Sequence, residues 1–189
     1  MRTRNFTLLE LLITIGIIAL LAAMLLPALG HARMLAKKSA CSGNLRQLGL
    51  AINLYADDNN FRLPACRSFS GEVVTKIDGV EVTGDTSSIS HLPSLAEALR
   101  PYVGDSKVFW CPGETDQKYF KSNGSSYEWN YFLNGLKVDQ KTYRITLIHN
   151  LKDPLFLMDA QPFHGTGPRA KNYLYENGVV QDVLKTELF

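Results

Sequence analysis

The chain opens on an apolar block and then changes rhythm. Residues 11–30, LLITIGIIALLAAMLLPALG, carry no charge. At about 1.5 Å per residue, a helix of this length reaches roughly 30 Å, the hydrocarbon thickness of a bilayer. Leu, Ile and Ala dominate the block and favour helix. Pro27 falls late in it, where it is expected to kink the helix or mark its exit from lipid. Beyond the block, Met34, Cys41, Leu45, Leu48, Ile52 and Tyr55 recur at steps of three, four and seven. That spacing predicts one apolar stripe on an amphipathic helix. Lys37, Lys38, Arg46, Gln47 and Asn53 fall on the opposite face. A stripe this narrow packs against a sheet. The helix is expected to end near DDNN, residues 57–60, which is rich in breakers and followed by Pro64.

The remaining pattern has shorter periods. EVVTKIDGVEV alternates around Asp78-Gly79, and NYLYENGVVQDV alternates around Asn177-Gly178. Both read as hairpins. SLAEALRPYV predicts a short helix capped by Ser94. SKVFWC and PLFLMDA read as buried strands. The expected class is α+β: a long N-terminal helix, membrane-spanning in its first half, packed on a small antiparallel sheet.

Composition narrows the function. The 189 residues are 46% hydrophobic and 20% charged, with a net charge of +2. That charge is too small to argue for nucleic acid, and Ala36-Lys37-Lys38 reads as a solvated helix face. Cys41, Cys66 and Cys111 contain no CxxC spacing, so no zinc site is expected. Three cysteines allow one bridge and a spare thiol, in any of three pairings. Asp57 and Asp58, with Asn59 and Asn60, offer oxygen atoms suited to calcium but lack EF-hand spacing. A turn at the helix C-terminus explains them more simply. His164 reads as structural rather than as a ligand or base. No Ser/His/Asp set, Gly-rich phosphate loop or paired-acid pattern stands out, so neither an enzyme nor a cofactor is expected. Trp110, Trp129 and Tyr131 keep an alternative open. In it the chain is a membrane-anchored, extracytoplasmic module binding polysaccharide or a protein ligand, although such residues more often sit in cores.

The front edge of the block carries an anomaly. Glu10 stands there, and Arg2 and Arg4 precede it. Positive charge holds a terminus in the cytoplasm and places the bulk of the chain outside, while Arg33, Lys37 and Lys38 pull the other way. A carboxylate in lipid costs a few kcal/mol near the centre and less toward the interface, so it is a functional candidate. A cleaved signal peptide or a plain anchor explains the oil but not the acid. Snorkelling of Glu10 to the headgroups is the simplest structural explanation.

The segment NFTLLELLITIGIIALLAAMLLPAL resembles the N-terminal segment of type IV prepilins and type II secretion pseudopilins. That family reads Phe-Thr-Leu-Ile-Glu, then an apolar helix with a late proline. Phe6, Thr7, Leu8, Leu9, Glu10 and Pro27 match. The resemblance implies that a prepilin peptidase cuts between Asn5 and Phe6 and methylates the new amine of Phe6. Asn5 stands where the family usually has Gly. It further implies that Glu10 pairs with the Phe6 amine of a neighbouring subunit, offsetting the desolvation of both charges. The implied organisation is a leader at 1–5, a transmembrane helix at 6–30, an amphipathic continuation at 31–60 and a sheet domain at 61–189. Its implied partners are the peptidase, other pseudopilin subunits, an inner-membrane assembly platform and membrane lipid. The implied location is the bacterial inner membrane, single-pass, with the domain periplasmic or extracytoplasmic, and then a filament.

CSGNLRQLGLAINLYADDNNFRLP, VFWCPGE and a late histidine before KNYLYENG are similar to a pseudopilin-like group with a Cys-x-x-Asn-Leu-(Lys/Arg)-Gln-Leu-Gly helix and a Cys-Pro strand end. His164, Asn172, Leu174, Tyr175 and Gly178 match its later motif, with Asn177 in place of the usual Asp. The two cysteine motifs of that group imply a Cys41–Cys111 bridge.

Overall fold

The apolar block and the amphipathic stripe share one helix, α1, Leu8–Asp58. The computed structural model describes residues 7–67, 72–77, 80–85, 91–139 and 154–184, with the backbone alone for 72–77 and 80–85. The Asn5–Phe6 junction therefore lies outside the described residues. Pro27 sits inside α1, which runs on past it as the continuous stripe predicts. The chain divides after Ala36 into two compact units.

In the first unit, every described residue is exposed. Leu8, Ile18 and Leu26 show 82%, 64% and 69% of their surface. This part of α1 is long and apolar enough to cross a membrane.

In the second unit, α1 buries Cys41, Leu45, Leu48, Ala51, Ile52 and Ala56 on one face. Each fully buried Leu or Ile contributes about 1.5–3 kcal/mol of transfer free energy. The buried face begins at Cys41, and Met34 lies exposed outside it. Gly49 belongs to the buried face because a Cβ there would meet Leu174 Cδ2 at 3.1 Å. The helix ends where the breakers cluster. Asn60 and Phe61 both take left-handed backbone, at φ 56° and 57°. The Phe61 N–H donates back to the Ala56 carbonyl at 2.8 Å, and Asn59 Nδ2 donates to the Tyr55 carbonyl at 2.8 Å. These bonds satisfy carbonyls that the helix end would otherwise orphan.

Strands β1, Glu72–Ile77, and β2, Val80–Asp85, pair antiparallel with Ile77 opposite Val80. The Asp78-Gly79 turn itself lies outside the described residues. Helix α2, Leu95–Leu99, starts with a reciprocal cap: Ser94 Oγ accepts from the Glu97 N–H, and Glu97 Oε2 accepts from the Ser94 N–H. SKVFWC is not a strand. Ser106–Phe109 forms a 3₁₀ helix, opened by the Asp105 side chain accepting from the Lys107 N–H. Val108 and Phe109 are both buried there. A short apolar run has no period of its own, so the Asp105 cap decided its form.

Helix α3, Lys118–Asn123, leads into a four-stranded antiparallel sheet of β3, Tyr127–Trp129; β4, Leu155–Asp159; β5, Tyr173–Tyr175; and β6, Val180–Gln181, in that order. PLFLMDA thus holds a strand with Phe156, Leu157 and Asp159 buried. The β5–β6 hairpin closes with Gly178 at φ 76°, its N–H donating to the Tyr175 carbonyl at 2.9 Å. Tyr175 N donates to the Val179 carbonyl at 3.0 Å, so the loop is three residues, not an isolated Asn-Gly pair. The architecture is α+β, with the second half of α1 on a small antiparallel sheet.

Candidate functional site

Two places gather the residues that the sequence singles out. The first is the start of α1. Thr7 N and Thr7 Oγ1 both donate to Glu10 Oε2 at 2.9 Å, and the Glu10 N–H donates to Thr7 Oγ1 at 3.2 Å. Thr7 and Glu10 therefore form a capping box. The signal is visible in the sequence as Thr-x-x-Glu before an apolar run, and it gives Glu10 a role within its own chain. Phe6 lies outside the described residues.

The second place is a buried cluster inside the 37–189 unit. Cys41 on α1 and Cys111, just after the 3₁₀ helix, are joined by a disulfide across 70 residues, with Cα atoms 5.0 Å apart. Asn44, one turn on from Cys41, donates from Nδ2 to the Trp110 carbonyl at 2.9 Å. The Cys111 N–H donates to Ser126 Oγ at 2.9 Å. Ser126 Oγ in turn donates to Glu114 Oε2, which is buried. The other carboxylate oxygen of Glu114 accepts from the Tyr119 and Phe120 N–H groups at the start of α3. Gln117 begins that helix in a left-handed conformation and offers no side-chain cap, so Glu114 takes that place.

His164 closes the cluster. Its Nε2 lies 3.4 Å from Cys111 Sγ and 3.4 Å from Asp159 Oδ2. Asp159 faces inward from β4 with the parity of Leu157. Its Oδ2 accepts from the Asn172 N–H at 2.8 Å and from Asn172 Nδ2 at 3.0 Å. Asp159 Oδ1 and His164 Nδ1 have no hydrogen-bond partner among the described residues. Gly113 touches the imidazole face, where a Cβ would come within 2.6 Å of Cε1. Cys41, Asn44, Cys111, His164 and Asn172, scattered in sequence, thus meet in one place. Sequence reading missed Asp159 and Glu114. Their only signals were an acid closing an apolar strand and an acid after Cys-Pro-Gly.

The third cysteine, Cys66, is buried and free. Its N–H donates to Asn134 Oδ1 and its carbonyl accepts from Asn134 Nδ2. Burial, helped by the Glu97 charge, pushes its thiol up to about 12. Asp57 and Asp58 sit at the exposed end of α1. Among the described residues, the one gathering of three Cys, His, Asp or Glu side chains is Cys41, Cys111 and His164, not this pair.

The aromatic residues do not form a shared platform. Trp129 is 2% exposed, with Nε1 on Asn134 Oδ1 at 2.7 Å. Trp110 Nε1 donates to the Glu114 carbonyl at 3.3 Å. Tyr131 stacks on the exposed Phe132 with centroids 4.3 Å apart. Each indole N–H thus has the partner that removal from water requires. Compared with known proteins, the chain matches no family model, no curated protein and no solved structure.

Proposed function

We propose that the chain is a pseudopilin-type structural subunit. It inserts through the first part of α1, is cut between Asn5 and Phe6 by a prepilin peptidase, and polymerises through that helix. The machine is a type II secretion pseudopilus or a type IV pilus-like filament, assembled on an inner-membrane platform. The subunit itself performs no catalysis, and its domain faces the extracytoplasmic side.

The observation carrying this reading is the first part of α1. It carries no charge from residue 11 to residue 30, its described side chains are exposed, and it opens on a carboxylate. Apolar surface of that extent needs lipid or other helices to cover it. In a filament, the Phe6 amine of a neighbour would reach Glu10 and share its carboxylate with the Thr7 cap. The buried cluster supports a rigid domain rather than a reaction centre, since the Cys41–Cys111 bridge and the Asn44–Trp110 bond tie α1 to the segment after the 3₁₀ helix.

Intact-mass measurement of the protein purified from membranes tests the proposal. The expected chain begins at Phe6 and carries one added methyl. A chain beginning at Met1, or one released near residue 33, overturns it.

A further inference from the structure

We propose that the dithiol form of this chain holds one zinc ion on Cys41 Sγ, Cys111 Sγ, His164 Nε2 and the Asp159 carboxylate, and that formation of the disulfide expels it. The inference stands on the cluster alone and is independent of filament assembly.

Cys41 Sγ, Cys111 Sγ and a ring nitrogen of His164 lie within 4.8 Å of one another, and all three residues are buried. A tetrahedral zinc with bonds of about 2.0 Å to nitrogen and oxygen and about 2.3 Å to sulfur has N–O edges of roughly 3.3 Å and N–S edges of roughly 3.6 Å. The observed Nε2–Asp159 Oδ2 and Nε2–Cys111 Sγ distances are both 3.4 Å. Two edges, both from Nε2, therefore already stand near their coordinated length, while the Asp159 carboxylate lies outside the set within 4.8 Å formed by the two sulfurs and the imidazole and closes on the ion as the sulfurs part. Asp159 Oδ1 is a fully buried acceptor with no partner among the described residues, so the carboxylate has donor capacity to spare. Gly113 leaves room for the imidazole to lie where its Nε2 faces both sulfur and carboxylate. The fourth requirement is separation of the sulfurs, which the disulfide forbids and reduction permits.

The donor set suits zinc. Two thiolates and one imidazole favour a borderline-soft ion over calcium or magnesium, and a carboxylate completes four-coordination. The sequence concealed it, because zinc spacing is sought between neighbouring cysteines and these lie 70 residues apart.

The chemistry balances in two steps. A dithiol reductant gives two electrons and two protons to the disulfide, forming two cysteine thiols and its own cyclic disulfide. Zinc then displaces one proton from each thiol and bonds to both thiolates. Thiol–disulfide exchange with an oxidised partner removes two electrons, rejoins the sulfurs and frees the ion.

The experiment uses the full chain in detergent, with Cys66→Ala to exclude the third thiol. The protein is reduced anaerobically with dithiothreitol, desalted and titrated with Co²⁺, followed by Zn²⁺. The expected result is a thiolate-to-cobalt charge-transfer band with strong tetrahedral d–d bands, saturating at one equivalent and abolished by Zn²⁺. The oxidised chain should give neither. His164→Ala should weaken cobalt binding by more than about tenfold, the loss that even an outer-sphere change can cause. Far-UV circular dichroism is recorded on each sample. No band in the reduced chain, whether its helicity persists or is lost, overturns the proposal. So does a band that survives His164→Ala unchanged, or equal binding by oxidised and reduced chains.

Discussion

Gly113 and His164 are fitted face to face: a Cβ at residue 113 would lie 2.6 Å from the imidazole Cε1 and 2.9 Å from Nδ1. The ring cannot retreat freely, because Nε2 faces Cys111 and Asp159, and Phe163 Cβ stands 3.0 Å from the same point. Gly113→Ala should therefore destabilise the domain by about 1–3 kcal/mol, the cost of overpacking a filled interior. Urea denaturation of the wild type and variant would measure it. An unchanged midpoint would show that the ring has room to move.

The thiols give a count. Cys41 and Cys111 are bonded, and Cys66 is buried with its thiol pushed up to about 12. At pH 8 the unreduced native chain should release no chromophore from Ellman's reagent. It should release one equivalent when denatured and three when denatured and reduced. Replacing Cys41 and Cys111 by serine should cost about 4 kcal/mol in the loop-entropy description of a 70-residue closure. A reactive thiol in the native chain contradicts the burial of Cys66.

Asp182 offers a pH test. Its carboxyl is held below the ordinary value of 3.8, first by the hydrogen bond from Lys38 at 2.9 Å, against a smaller opposing effect of burial. A lowered carboxyl contributes stability that is complete above its unfolded value and is lost as pH falls through the folded one. The pair is partly exposed, so its contribution is only about 0.2–1 kcal/mol. Asp182→Asn should cost that amount at pH 6, and the difference should vanish below the carboxyl's folded value. A gap between the two proteins that stays constant down to pH 2 rules out the ion pair as its source.

The α1 start separates charge from cap. Glu10→Gln keeps a capping-box side chain but removes the charge, and Thr7→Ala removes the cap but keeps the charge. Under the proposed pairing with a neighbour's amine, Glu10→Gln leaves that amine unmatched in the filament core. Incorporation into filaments should fall roughly 100-fold, with membrane insertion intact. Thr7→Ala should lose no more than about 1–2 kcal/mol of local helix stability and still assemble. If Thr7→Ala fails and Glu10→Gln assembles normally, Glu10 serves the cap alone.

Ser94 provides an independent check on local capping. It caps α2 and is buried. Ser94→Ala should cost about 1 kcal/mol, measured by thermal unfolding, and Glu97→Gln should cost less because the amide can keep the reciprocal bond.

Several elements were legible from residues alone because their causes are local. Apolar periodicity marked α1 and a stripe from Met34 to Tyr55, of which the folded chain buries the part from Cys41 on, while breakers at 57–60 located its end. Ser94 with Glu97 wrote the start of α2, and Asn177-Gly178 marked the β5–β6 hairpin. Thr7 with Glu10 was equally local, a Thr-x-x-Glu box written in four consecutive residues. Other features needed the folded chain. SKVFWC had no period to separate strand from 3₁₀ helix, and the Asp105 cap settled it. Composition left three cysteine pairings open; the resemblance implied Cys41–Cys111, and the approach of α1 to residue 111 makes that bond. Asp159 looks like the polar end of a strand until Asn172 and His164 converge on it from the next segment of chain. The division has a physical basis. Period, caps and turns act over a few residues and are written in neighbouring letters. A bond, a buried acid or a close glycine contact depends on distances between segments, which exist only after the core has brought them together.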